Sequence, residues 1–279
     1  MIHRVKIFFS CLNFLLLWNS TLSAQMGWQA SPMVFNLNVD NGDTVTQFFT
    51  VYNRADKKQS FKVYGKDWAI DPDGRRIPEF EPGSVSRGSA GWMTTTPKNF
   101  TLEPRSSQTV RFTIVVPDTN LPGSYWAAFF VEPVERPTLA SKLESEGRSI
   151  SIFVQVRVKI LINVTLSGDL KRDGEIANLE VELDSSQISL TIKPTFLNTG
   201  NMLLKCKGTV EIRNEMGEPI ESFPLPSFTS LPGYEQVAVT THATDLEPGE
   251  YSAMVVIDFG GDYLVAGEAF FEITGEKFE

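Results

Sequence analysis

The sequence predicts an all-β protein: two immunoglobulin-like β-sandwich domains in tandem after a signal peptide. Short runs rich in Val, Ile, Phe, Tyr and Thr alternate with clusters of Pro, Gly, Asn and Asp, which is the pattern of antiparallel strands. No segment repeats its apolar residues with a helical period. Each half of the chain holds seven such runs, the strand number of an immunoglobulin-like sandwich.

The elements follow in chain order. Residues 1–24 read as a signal peptide, with His3, Arg4 and Lys6 as its basic start, Ile7 to Trp18 as its apolar core and Thr21-Leu22-Ser23-Ala24 as a small-residue exit. Strands are expected at Met33–Asn38, Val45–Asn53, Ser60–Ile70, Asn99–Leu102, Gln108–Val116, Ser124–Glu132 and Arg148–Val164. In the fifth of these, Val110, Phe112, Ile114 and Val116 alternate with Thr109, Arg111, Thr113 and Val115, so one face is built for burial. The second half repeats the plan at Ile176–Leu183, Ile188–Leu197, Lys207–Arg213, Ile220–Phe223, Gln236–Thr241, Tyr251–Asp258 and Leu264–Thr274. A faint duplication accompanies it. Phe100, Pro104 and Gln108 share their spacing with Phe228, Pro232 and Gln236, and Pro122-Gly123-Ser124-Tyr125 is echoed by Pro248-Gly249-Glu250-Tyr251. These readings place a first domain at 25–166 and a second at 167–279, with the boundary where an apolar strand gives way to Ser167-Gly168-Asp169.

Composition narrows the function. The 25 Lys and Arg stand against 34 Asp and Glu, a net charge of −9. Removal of the leader takes Arg4 and Lys6 and leaves 23 against 34, or −11. An acidic chain of this kind has no nucleic-acid partner as its default. Hydrophobic residues at 42% and no bilayer-length apolar stretch after the leader point to a folded protein without a membrane span once the signal is removed. Cys11 leaves with the leader, so Cys206 stands alone and is read as a small buried hydrophobe. His242 is the single remaining histidine, and no metal-ligand spacing, nucleophilic triad, phosphate loop or cofactor motif is present. The chain is therefore expected to be no enzyme and to use no cofactor or metal. Asp71-Pro72-Asp73-Gly74 lacks the later ligands of a calcium loop and reads as a turn. Trp68, Trp92 and Trp126 are candidates for an exposed carbohydrate or peptide site, although their strand positions favour core packing.

The most informative segment is Ile150 to Asn163, where Ile150, Ile152, Val154, Val156, Val158, Ile160 and Ile162 occupy every second position. Two readings remain open. All seven side chains fill the first domain's core, or the early ones, Ile150, Ile152 and Val154, project past it and offer an edge for strand addition. The polar stretch Glu135 to Arg148 precedes this strand and could cover or bare that edge.

At this strand the sequence resembles the periplasmic pilus-assembly (PapD-like) chaperones. The resemblance spans most of the first half: Asn53, Trp68, Thr96-Pro97-Lys98-Asn99-Phe100-Thr101-Leu102-Glu103-Pro104 followed by Gln108-Thr109-Val110-Arg111, Leu121-Pro122-Gly123 before Phe129-Phe130, and the last strand through Lys159. It implies a two-sandwich chaperone that caps an exported, pilin-like subunit by donating a strand. Ile150, Ile152 and Val154 take the groove-filling role and Lys159 binds the subunit's terminal carboxylate. The sequence departs from the family at the first-strand arginine, whose place falls on Pro32 or Met33, and at Lys98 and Thr101. The insert Asp71 to Gly91 is also longer than usual. A periplasmic chaperone-like protein is thus expected. The alternative is a structural or adhesive envelope protein, extracellular and cell-surface associated, built of the same modules without chaperone activity.

Overall fold

Alternation along each strand is what builds the two sandwiches. In the computed structural model, residues 27–71, 76–118, 121–134, 138–145, 148–154, 156–184 and 188–274 are described, with the backbone alone for 76–79, 138–145 and 148–154. The proposed signal peptide lies outside the described residues, as does most of the Asp71–Gly74 turn.

The first half forms β1 (Trp28–Ser31), β2 (Val34–Val39), β3 (Thr44–Asn53), β4 (Gln59–Ile70), β5 (Arg76–Phe80), β6 (Met93–Thr96), β7 (Asn99–Leu102), β8 (Ser107–Val115), β9 (Gly123–Pro133), β10 (Thr138–Ser145), β11 (Arg148–Val154) and β12 (Val158–Leu166). One sheet has the order β1-β3-β8-β6. The facing sheet runs β2-β12-β9-β4-β5, with β7 also on β4. Among the described strand pairs only β2–β12 is parallel. Between the sheets lie Val110, Phe112 and Ile114 of β8, Tyr125, Phe129 and Val131 of β9, and Val158, Ile160, Ile162, Val164 and Leu166 of β12. The period-2 pleat makes these choices, because exposed Thr109, Arg111 and Val115 occupy the intervening positions of β8.

The second half forms β13 (Glu175–Leu183), β14 (Ser189–Leu197), β15 (Leu204–Asn214), β16 (Pro219–Ser230), β17 (Glu235–Val237), β18 (Thr240–Ala243), β19 (Gly249–Asp258) and β20 (Val265–Ile273). Its sheets are β13-β14-β17, with β18 also on β14, and β16-β15-β19-β20. Among the described residues no strand of β1–β12 pairs with a strand of β13–β20. The chain is nearly all β, and the tandem immunoglobulin-like sandwiches read from the sequence are present. Cys206 is 1% exposed within the second core. Burial, then the charge of Asp258, pushes its thiol up to about 12.

The two sandwiches share more than spacing. Tyr125 donates its hydroxyl to the Leu121 carbonyl at 3.1 Å and Tyr251 donates to Glu247 at 2.8 Å, each four residues upstream at the start of an inner strand. These are tyrosine corners, which tie a strand to the loop that feeds it. Buried Asn53 accepts from Ala55 N–H and donates to Lys57, Leu102 and Glu103 carbonyls. Asn198 accepts from Gly200 N–H and donates to Met202 and Ser230 carbonyls. The same side chain thus closes the same strand end in both halves, and Leu102 and Ser230 stand two residues after Phe100 and Phe228 of the sequence echo.

Several expectations need correction. The strand from Arg148 to Val164 is interrupted, and Glu135–Arg148 contains strand β10 rather than loop alone. Four strands of the first half, β1, β5, β6 and β10, were not expected. Trp68 and Trp126 are buried as expected, at 1% and 0% exposure, but on the outer face of the β2-to-β5 sheet. There they pack with Ile70, Val85, Ala128, Phe130 and Leu231. The insert after β4 covers this face because the fully buried Asp67 carboxylate accepts from Gly83 N–H at 2.7 Å and Ala90 N–H at 2.9 Å. Leu231 and Tyr234 come from the second sandwich, and Ser124 binds across to it. Ser124 N–H donates to Asn201 at 2.8 Å and Leu203 N–H to Ser124 Oγ at 2.9 Å.

Candidate functional site

The candidate site begins with a hairpin longer than the sheet that holds it. Strands β9 and β12 pair from Gly123↔Leu166 to Val131↔Val158. Beyond a gap, β10 and β11 resume antiparallel pairing from Thr138↔Val154 to Ser145↔Arg148. The arms across the gap are unequal, 132–137 on one and 155–157 on the other, so the two ladders cannot run on in one register. The outer part belongs to neither sheet of the sandwich and stands as a two-stranded ribbon.

Strand β11 carries three of the sequence-predicted residues at alternate positions, in register as Ile150↔Leu143, Ile152↔Ser141 and Val154 with Thr138. One edge of β11 is taken by β10. Among the described strands none pairs with its other edge. That edge continues toward the sandwich, because β2 pairs with β12 only from Val34↔Leu161 onward, where the Met33 carbonyl accepts Leu161 N–H at 2.8 Å. Pro32 and Met33, at the place of the family's arginine, lie between β1 and β2, and Met33 is 51% exposed.

Lys159, the fourth predicted residue, follows the strand's parity. Val158 and Ile160 point into the core, so Lys159 takes the outer face. Its ammonium lies 4.7 Å from the Trp68 ring centroid and 5.9 Å from that of Phe130. These rings belong to β4 and β9, so the charged end reaches inward across the sheet, on the side of β12 away from β2. The structure therefore does not bring Lys159's charge to the edge that β11 continues.

Residues that the sequence reading did not single out complete this base. Arg157 stacks at 4.9 Å over Phe130, and its guanidinium donates to Tyr64 Oη at 3.4 Å. Tyr64 donates to Glu132 at 3.0 Å, and Lys62 pairs with the same carboxylate at 2.6 Å. Burial alone would raise Glu132's carboxyl. The hydrogen bonds from Lys62 and Tyr64 and the nearby positive charges outweigh it and hold the group below the usual carboxylate range. Lys62 is raised chiefly by its hydrogen bond to Glu132, and Tyr64 chiefly by burial. Two cations two residues apart, facing rings on the next strands, pin the first turn of β12's path by cation–π attraction. The only prior sign was the alternation of Arg157 and Lys159 with Val158 and Ile160.

Elsewhere the side chains considered for chemistry sit in structural roles. His242 stacks on Phe223 with ring centroids 4.0 Å apart, and its Nε2 lies 3.1 Å from Glu221. Trp92 packs against Tyr125 at 4.7 Å.

No protein-family model matches the sequence, and no curated protein matches it. Among solved structures the chain is similar to the chaperone–tip adhesin complex of CFA/I fimbriae, at 14% identity and a TM-score of 0.45 over 88% of this chain and 98% of that one. It is similar to the CsuC–CsuE chaperone–tip adhesion subunit pre-assembly complex of Acinetobacter baumannii, at 12% identity and 0.42 over 88% and 98%. It is also similar to the E. coli chaperone DraB, at 13% identity and 0.39 over the same shares, 88% and 98%.

Proposed function

We propose that this chain is a non-enzymatic, periplasmic, chaperone-like protein that binds an exported, pilin-like subunit by β-strand addition along β11. Residues 1–24 direct export, 25–166 form the binding domain and 167–279 the second domain. The observation that carries this reading is the ribbon itself: a strand with alternate branched aliphatic residues held outside both sheets, with one edge unpaired among the described strands. Native proteins usually cover or shorten such an edge, and extending it instead is a cost that partner binding offsets. Burying Ile150, Ile152 and Val154 in a partner's groove would give roughly 5–9 kcal/mol gross at about 1.5–3 kcal/mol each. Association takes about 4–15 kcal/mol, so main-chain pairing along the edge must supply the remainder.

The test is capture from a periplasmic extract that contains chaperone–usher pilins. The wild-type chain is expected to retain an incomplete β-sandwich protein. Ile152→Asp is expected to lose it with an unchanged unfolding midpoint. A variant that keeps its partner would disprove strand donation. The reading as a structural or adhesive envelope module draws on Pro32 or Met33 at the arginine's place, on the long insert and on the inward turn of Lys159, and retention by the variant would favour it.

A further inference from the structure

We infer that the cleft between the two sandwiches holds a small hydroxylated carboxylate, of the sugar-acid class, between Arg172 and Lys205 on one wall and the Asn36–Asn163 amide pair on the other. The site is separate from β11, and the inference stands without the strand-addition reading.

The first wall is the outer face of β2 and β12. Val164 and Leu166 point into the core, so Asn163 and Thr165 face outward, and Asn163 stands in register with Asn36 of β2. Asn163 Nδ2 donates to Asn36 Oδ1 at 2.9 Å, which leaves the Asn163 carbonyl as an acceptor beside the Asn36 amide as a donor. Both edges of β12 are already paired at this level, to β9 and to β2, so a strand added along β11 does not extend here by main-chain pairing. The second wall comes from the start of β15 and the turn after β19. Leu204 and Cys206 are buried, so Lys205 between them faces outward, and the Arg172 carbonyl lies 3.1 Å from the place of a Cβ on Gly261. Arg172, Lys205, Thr165 and the amide pair line one cavity of about 290 Å³, the small end of the range for ligand sites.

Charge decides what the cavity takes. Among the described residues no Asp or Glu lines it, in a chain of net charge −9. The carboxylates nearest in sequence are engaged elsewhere: Asp169 with Lys171 at 3.3 Å, Asp258 with Lys207 at 3.2 Å, and Asp173 with the Tyr263 hydroxyl. Arg172 and Lys205 are exposed and have no ion pair among the described residues. Two unneutralised cations lining one cleft attract an anion more strongly than the same pair on open surface. A guanidinium fork matches a carboxylate with two hydrogen bonds. The amide pair and the Thr165 hydroxyl opposite then need groups that both donate and accept, which hydroxyls do.

The experiment titrates the full chain with D-glucuronate, followed by calorimetry and by the side-chain amide resonances of Asn36 and Asn163. Glucuronate is expected to shift both resonances. It is expected to bind about 10-fold more tightly than glucose, which lacks the carboxylate, and than acetate, which lacks the hydroxyls. Arg172→Gln and Lys205→Gln are each expected to weaken binding about 10-fold, the change for one charge-assisted hydrogen bond. The unfolding midpoint should not move, because neither side chain has an ion pair to lose among the described residues. Unshifted amide resonances at millimolar glucuronate, or binding that both charge variants retain in full, overturns the inference. Acetate or inorganic phosphate binding as tightly as glucuronate overturns the assignment to a hydroxylated carboxylate.

Discussion

Gly123 fixes how closely the two sandwiches approach, and its replacement by Ala gives a quantitative test. Its φ is +114°, and an ideal Cβ there would sit 2.2 Å from the Asn201 carbonyl oxygen of the second sandwich. A non-glycine residue held at such a φ costs about 1–3 kcal/mol. The clash also separates Ser124 N–H from Asn201 and Leu203 N–H from Ser124 Oγ, two bonds worth about 0.5–1.5 kcal/mol each. Gly123→Ala is therefore expected to lose about 2–6 kcal/mol in urea unfolding followed by tryptophan fluorescence. Trp126 reports directly, since its ring lies 6.2 Å from Tyr234 across the junction. Small-angle scattering should show a changed arrangement of the two halves. Gly217→Ala is the matched control: φ is +77° with nothing within 4 Å of the added carbon, so only backbone strain of about 1–2 kcal/mol remains. If Gly123→Ala costs no more than Gly217→Ala and leaves the scattering profile unchanged, the Asn201 contact does not set the junction.

Two further outcomes follow from single side chains. Asn53→Ala removes its hydrogen bonds to the Lys57, Leu102 and Glu103 carbonyls and from the Ala55 N–H, and should cost about 2–6 kcal/mol at about 0.5–1.5 kcal/mol per bond. Asn198→Ala should cost a similar amount in the second sandwich, and a loss below about 0.5 kcal/mol in chemical denaturation at either site would show that the shared strand closure is not structural. Glu132 is held below the usual carboxylate range in the folded chain, so its contribution is present above the unfolded value of about 4.3 and is lost as pH falls through the folded one. Thermal melts from pH 6 to pH 3 should therefore decline more steeply for the wild type than for Glu132→Gln, and parallel curves would contradict the Lys62–Glu132–Tyr64 arrangement.

How much of this was legible in the sequence depends on what each segment must bury. Strand β8 was readable almost to the residue because Val110, Phe112 and Ile114 face a core and the pleat forces alternation. Strand β10, Thr138-Leu139-Ala140-Ser141-Lys142-Leu143-Glu144-Ser145, lies in a two-stranded ribbon outside both sheets, so no core demanded an apolar face and its polar sequence read as loop. Strand β5 contains Pro78, a residue confined to edges, and it is an edge strand here. The outward burial of Trp68 and Trp126 was hidden because it depends on how the insert folds back over the sheet and on Leu231 of the other sandwich, neither of which a local pattern shows.

The separation of β11 from β12 was invisible for a different reason, and that reason bears on function. Alternation runs through Val154, Val156 and Val158 without a fault, so side-chain pattern alone describes one continuous strand. The β9–β12 and β10–β11 ladders, separated by 132–137 on one arm and 155–157 on the other, do not share one register. The sequence on either side then serves different ends. Below the break, Arg157 and Lys159 are pinned on aromatic rings and the aliphatic residues fill the core. Above it, the same alternation continues on β11, which among the described strands belongs to neither sheet of the sandwich. A chain needing only a folded sandwich has no use for that pattern over Ile150, Ile152 and Val154, which lie on a ribbon outside both sheets of the sandwich. Its persistence past the end of the core supports the proposed strand addition over a passive scaffold.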